Sequence, residues 1–214
     1  MACNEAALIT AINTTQTAGG GTIPLTPGCT YTLTTSHGAG TNGPDGLPII
    51  HTVLALTGTN NMITRASGDT FRIAEVSNTG NFTLQGVTLN NGLTAGDGGG
   101  ILNFGAVTLT GSILINNTAT GRGGGLYNGL RGTLTMTSTP VTFNRSAAKG
   151  GGIAAINSAA TTLTSSPVSA NTAALGAGGI FRFSGVMTIT TSPITGNTPN
   201  NCVGSSPAVP SCTN

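Results

Sequence analysis

Five side chains of this 214-residue chain are carboxylates: Glu5, Asp45, Asp69, Glu75 and Asp97. Acid–base work and calcium binding both need such groups clustered, so their spacing decides what chemistry is open. One alignment gathers two of them. Four residues before Ile73, Ile101, Leu126 and Ile153 stand Asp69, Asp97, Arg122 and Lys149. If those positions stack about 4.8 Å apart, as adjacent strands do, they make a column of two acids and two bases. A carboxylate pair flanked by cations suits a calcium ion or a sugar acid. In a binding module Asp69, Asp97, Arg122 and Lys149 would hold the ligand. In an enzyme Asp69, Asp97 and Arg122 would carry the reaction, and calcium is the one cofactor that reading calls for. The competing reading is a surface Asp97–Arg122 ion pair, with Asp69 capping a turn.

Other chemistry is thinly represented. His37 and His51 lie in or beside a stretch, 35–48, whose composition reads as a loop. That stretch contains GAGTNG (38–43), which fits GxGxxG, but Pro44 stands where a nucleotide-binding helix would begin, so it reads as turns. No GxSxG elbow and no phosphate loop occurs. Trp is absent and only two Tyr are present, so platforms for stacking sugars are few.

The elements that must position these residues come from a repeat. A glycine-led apolar position recurs at Ile101, Leu126, Ile153 and Ile180. A second landmark recurs at Leu84, Leu109, Met136, Leu163 and Ile189. A third is an apolar residue three before an Asn, giving Val87/Asn90, Ile113/Asn116, Val141/Asn144, Val168/Asn171 and Ile194/Asn197. The steps are 25 to 27 residues. The unit DGGGILNFGAVTLTGSILINN (97–117) reads as three short strands separated by turns. Such a unit stacks into a single-stranded parallel β-helix: three strands per coil, about six to seven coils, roughly 30 Å long by strand spacing. The crossover rule makes it right-handed. Leu84, Leu109, Met136, Leu163 and Ile189 would form an inward column. Asn90, Asn116, Asn144, Asn171 and Asn197 would form another at a turn, hydrogen-bonding from coil to coil.

One α-helix is expected, over 4–14, with Asn4 as N-cap, Glu5 at the positive helix end and an apolar stripe of Leu8, Ile9 and Ile12. It would cover one open end of the stack. The chain then divides as a single β-helix domain, 1–214: capping helix 4–14, coils 22–197 and tail 198–214. The four cysteines fall as two local pairs, Cys3/Cys29 and Cys202/Cys212, without zinc-like spacing. As disulfides, the first would pin the helix to the first coil and the second would close the tail. The alternative is four buried thiols.

Composition narrows the class. Charged residues make up 6% of the chain, which excludes a charged disordered tail or a coiled coil. Net charge is +2 with no basic cluster, so nucleic acid is not an expected partner. No apolar run reaches the ~18 residues of a membrane helix, so membrane insertion is not expected. The first residues lack the pattern of a signal peptide. Four cysteines, little Lys and abundant Thr point to an oxidising, extracellular setting.

The pattern Val141-Thr-Phe-Asn144-Arg-Ser-Ala-Ala-Lys-Gly-Gly-Gly-Ile153 resembles the polymorphic outer-membrane-protein type repeat of bacterial right-handed parallel β-helix proteins, within the pectin-lyase-like superfamily. The start, CNEAALITAIN…GGGTIPLTPGCTYTLT (3–34), looks like the capped start of secreted bacterial members. Val or Ile stands where those repeats favour Phe. The resemblance implies an exported surface or adhesin-like protein; the scarcity of acids makes a non-catalytic module the expectation, secreted or on the cell surface, monomeric, with a polysaccharide or cell-surface ligand as candidate partner. The same superfamily holds polysaccharide lyases and glycoside hydrolases, which makes an enzyme the alternative. A third class rests on Thr-x-Thr rows: Thr108/Thr110, Thr135/Thr137, Thr162/Thr164 and Thr188/Thr190, with Thr83/Gln85 ahead. Alternation points them outward, where a regular hydroxyl grid could order water as ice-binding solenoids do.

Overall fold

The computed structural model describes residues 1–40 and 42–214. It is a parallel β-solenoid of about five turns with one N-terminal helix. The regular coils carry the three expected strands. After the Asn corner a two-residue strand such as Thr118–Ala119 adds a fourth, which forms its own small sheet. The count is about five turns, not six or seven, because Gly20–Pro24 and Thr30–Leu33 supply only a partial first coil before the hairpin and the residues after 197 build the tail.

Strand pairing is parallel and in register. Leu109 pairs with Leu84 on one side and Met136 on the other, and the row continues through Leu163 to Ile189. It also runs back to Leu56 and Ile23. Ile101, Leu126, Ile153 and Ile180 form the second inward row, as the glycine-led landmark predicts. These rows fuse into one core that runs the length of the stack.

The Asn column needs a correction. The buried ladder is Asn117, Asn144, Asn171 and Asn197, closed by Asn201. Asn116 and Asn90 form a separate pair nearer the surface, at 3.1 Å. Two adjacent Asn make both readings fit the spacing. Pairing decides between them, because Leu114 and not Ile113 aligns with Val141. Leu114 is buried, so its partner three residues on, Asn117, turns inward. The left-handed turn residue is the one before each ladder Asn: Asn116 (φ 56), Phe143 (φ 55), Ala170 (φ 55) and Gly196 (φ 63). The triple glycine answers to this ladder. A Cβ on Gly125 would stand 2.7 Å from the Gly152 carbonyl and 3.1 Å from the Asn144 amide. The glycine therefore leaves the space that the amide fills.

Two further polar ladders were not foreseen. Ser112, Thr139, Ser166 and Ser192 are buried at the next corner, each hydroxyl from Thr139 onward accepting from the backbone N–H of the coil before. Asn103 donates to Asn128 Oδ1 at 2.7 Å at a third corner.

The helix spans Glu5–Thr17, longer than expected. Asn4 Oδ1 accepts from the Ala7 N–H at 2.9 Å as the N-cap, and Leu8, Ile9 and Ile12 are buried. The extra turn is held by tertiary contact. Gln16 is buried, donates to the Ile49 carbonyl and accepts from the His51 N–H. Both cysteine pairs are disulfides, Cys3–Cys29 and Cys202–Cys212. The 35–48 stretch, expected as a loop, contains an antiparallel hairpin of Gly38–Gly40 with Gly43–Asp45. Thr41, within GAGTNG, lies outside the described residues. Among the described residues no helix is long and apolar enough to cross a membrane.

Candidate functional site

The sheet that carries the glycine-led strands turns into the Leu109 sheet at one corner, and the turn there varies in length. Strand Ala74–Val76 reaches strand Asn81–Asn90 through four residues, 77–80. Strand Ile101–Asn103 reaches Ala106–Thr110 through two, Phe104 and Gly105. Strand Leu126–Asn128 reaches Thr133–Thr137 through four, 129–132. The middle coil is therefore recessed between longer turns. A trough of about 830 Å³ lies there, over Phe104 and Gly105, between Ser77–Gly80 on one side and Leu130 and Arg131 on the other. Gly105 is required because a Cβ would run into the Ser77 and Gly80 carbonyls. Phe104 packs edge-on against Tyr127, ring centroids 6.4 Å apart.

Asn42, in the hairpin connection, borders the trough and a second hollow of about 220 Å³ on the adjoining sheet face. Phe104 borders both as well. Leu102, Tyr127 and Asp97 line the smaller one. Leu102, Tyr127, Ala154 and Phe181 form the outward row of that sheet, and Glu75 heads it.

A buried charge cluster fixes the hairpin to this wall. Arg72 is fully buried, and its Nη1 donates to Asp45 Oδ1 at 2.6 Å and to Glu75 Oε2 at 3.4 Å. Its Nη2 donates to the Asn42 carbonyl at 2.6 Å and its Nε to the Asp97 carbonyl at 3.3 Å. Asn42 Nδ2 in turn donates to Glu75 Oε1 at 2.8 Å. Burial pushes the Asp45 carboxyl up to about 7; the charge and hydrogen bond of Arg72 oppose that rise, and the charge of Glu75 adds to it. Asp45 Oδ2 has no hydrogen-bond partner among the described residues.

The sequence column is only partly assembled. Successive coils stack Asp97, Arg122 and Lys149, because the Gly98 N–H donates to the Arg122 carbonyl and the Gly123 N–H to the Lys149 carbonyl. Asp69 is out of register. Ala74, not Ile73, pairs with Ile101, so the residue four before the paired position is Thr70. Asp69 is exposed, and its backbone carbonyl accepts from Arg65 Nη1. Asp97 Oδ1 accepts from the Arg122 backbone N–H at 2.6 Å. Among the described residues the ion pairs are His37–Glu5, Arg72–Asp45 and Arg72–Glu75, so Asp97 and Arg122 are joined through backbone and not through charge. Burial pushes the Tyr127 hydroxyl up; Asp97 adds to the rise and Arg122 opposes it. Lys149 Nζ sits 4.6 Å from the centre of the Phe181 ring, a cation–π contact. Among the described residues there is no group of three or more His, Cys, Asp or Glu that could hold a metal ion.

Neither His37 nor His51 lines the trough, though the His51 carbonyl accepts from the hydroxyl of Thr79 at its edge. His37 Nε2 is 2.8 Å from Glu5 Oε1, which also accepts from the Thr34 and Thr35 N–H groups. That network ties the start of the helix to the first coil. The sequence reading missed Asn42, Phe104, Arg131 and the role of Arg72. One signal for the trough was present: the step from Ile101 to Leu126 is 25 residues, whereas Leu126 to Ile153 is 27. The two missing residues are those absent from the 104–105 turn.

No protein-family model, curated protein or solved structure matches this chain.

Proposed function

We propose that this chain is an exported, non-catalytic surface module that binds a polysaccharide in the trough over Phe104. The observation that carries the reading is the recessed two-residue turn, which leaves a groove of about 830 Å³ beside an aromatic side chain. A volume of that order takes a ligand of small-molecule size. Phe104 offers an apolar face for the C–H side of a sugar ring. Asn42, Asn78, Asn81 and Arg131 offer amide and guanidinium groups that can hydrogen-bond to hydroxyls.

Turnover is disfavoured by how the acids are held. A glycosidase needs two carboxyl groups facing one bond. Glu75 is tied to Arg72 and Asn42, Asp45 is enclosed, and Asp97 accepts from Arg122. The resemblance to outer-membrane-type repeats supports a place on a bacterial surface. The two disulfides fit an oxidising compartment.

Isothermal titration against soluble glucans, mannans, galactans and polygalacturonate tests this. At least one should bind, without release of reducing ends, and Arg131→Ala and Phe104→Ala should each weaken binding tenfold or more. Arg131 is exposed, so its variant separates lost contact from lost fold. Absence of binding across the panel, or cleavage abolished by Glu75→Gln or Asp97→Asn, would overturn the proposal.

A further inference from the structure

The most regular surface of the molecule lies away from the floor of the trough. Strands Ala106–Thr110, Thr133–Thr137, Ala160–Thr164 and Val186–Thr190 pair in register. Two straight rows of threonine result, one from Thr108 to Thr188 and one from Thr110 to Thr190. Thr83 extends the first row by one coil. Buried Leu109, Met136 and Leu163 behind them fix the outward direction. None of these threonine hydroxyls has a hydrogen-bond partner among the described residues. Elsewhere the hydroxyls of Thr79, Thr139 and Thr161 are engaged by the protein. The four strands carry no charged residue.

Strand propensity favours Thr, but it does not place Thr on one face alone. The outward row of the glycine-led sheet is Leu102, Tyr127, Ala154 and Phe181, and that of the small sheet includes Arg145 between Thr118 and Thr172. A β-branched side chain has one strongly restricted χ1, so identical neighbours repeat identically. The grid spacing is about 4.8 Å between strands and roughly 6.7 Å along them. Both lie close to oxygen repeats in hexagonal ice. We propose that this threonine face binds ice, its free hydroxyls and methyls ordering water into the lattice.

Ice-crystal shape, the gap between freezing and melting points, and grain growth in frozen protein solution test this with the full chain. The wild type should facet ice, open a gap and slow grain growth. Thr135→Tyr/Thr162→Tyr should reduce all three to the level of an inert protein, with the circular-dichroism melt unchanged. Thr135→Lys, a single exposed change, gives the same test if the double variant unfolds. Thr118→Tyr, on another face, should retain activity. A wild type that leaves ice unshaped, or a folded Thr135→Lys that keeps full activity, would overturn the proposal. Thr164→Tyr, at the far end of the strand that pairs with trough-lining Thr133, should also lower the ice activity but leave polysaccharide binding in the trough untouched, so the two proposals fail separately.

Discussion

Asn171 Oδ1 accepts two hydrogen bonds from Asn144, one from its backbone N–H at 2.9 Å and one from its Nδ2 at 3.0 Å. Asn144 Oδ1 receives the same pair from Asn117. Each buried amide thus satisfies the corner of the coil before it, so loss of one amide leaves groups unpaired in two coils.

Asn144→Ala should therefore be among the most damaging single changes in the coils. It strips partners from the Asn117 N–H and the Leu114 carbonyl, at about 1–3 kcal/mol for each group left unsatisfied. Asn116→Ala removes an exposed contact to Asn90 and puts Ala at a left-handed position, so it should cost about 1–2 kcal/mol, less than the paired losses at Asn144. Urea denaturation of the two variants checks the difference, and equal losses would refute the corrected register.

Arg72 holds the hairpin to the coil of Glu75 and to the next coil at Asp97. Arg72→Met should cost about 3–5 kcal/mol, because Asp45 and Glu75 are left as uncompensated buried acids. Adding Asp45→Asn and Glu75→Gln to the same chain should recover part of that loss. Chemical denaturation of the single and triple variants reads this directly.

Two acids set opposite pH slopes. The folded state raises Asp45 from its ordinary 3.8 to about 7, so it binds that proton more tightly than the unfolded chain does. Stability from this group is present below about pH 4 and is lost as pH rises through 7. Burial also raises Glu5, but hydrogen bonds from Thr34, His37 and Thr35 outweigh it and bring Glu5 down to about 2. Its contribution is present above its ordinary 4.5 and is lost as pH falls toward 2. Thermal melts from pH 2 to 8 should peak between about 4 and 5. Asp45→Asn should flatten the alkaline side and Glu5→Gln the acid side.

The trough exists because one coil is two residues short. Inserting Gly-Ser between Phe104 and Gly105 restores the 27-residue step and should fill the recess. The far-ultraviolet spectrum should be unchanged while polysaccharide affinity drops at least tenfold. Retained affinity in a folded insertion variant would place the ligand elsewhere.

The two disulfides should leave no thiol reactive when the unreduced chain is unfolded. Cys3→Ser/Cys29→Ser should lower stability by about 2–4 kcal/mol, since the bond constrains a loop of 26 residues in the unfolded chain. Thiol titration in denaturant and a urea series on the variant measure both.

The sequence alone determined the architecture. Period-2 alternation within strands and a 25–27 residue repeat leave one way to bury Leu109, Met136 and Leu163 together, and the observed register follows it. The helix cap was equally legible, since Asn4 and the Leu8, Ile9, Ile12 stripe are local signals. Spacing could not choose between Asn116 and Asn117, because either satisfies an apolar-x-x-Asn rule; burial of Leu114 chose. Nor could it place Asp69, since a one-residue shift at Ala74 follows from pairing with Ile101. The buried Arg72 cluster joins residues 42, 45, 75 and 97, which no local pattern connects. The trough lay in the sequence as a two-residue gap, but a gap acquires a shape only when longer turns of neighbouring coils stand on either side of it.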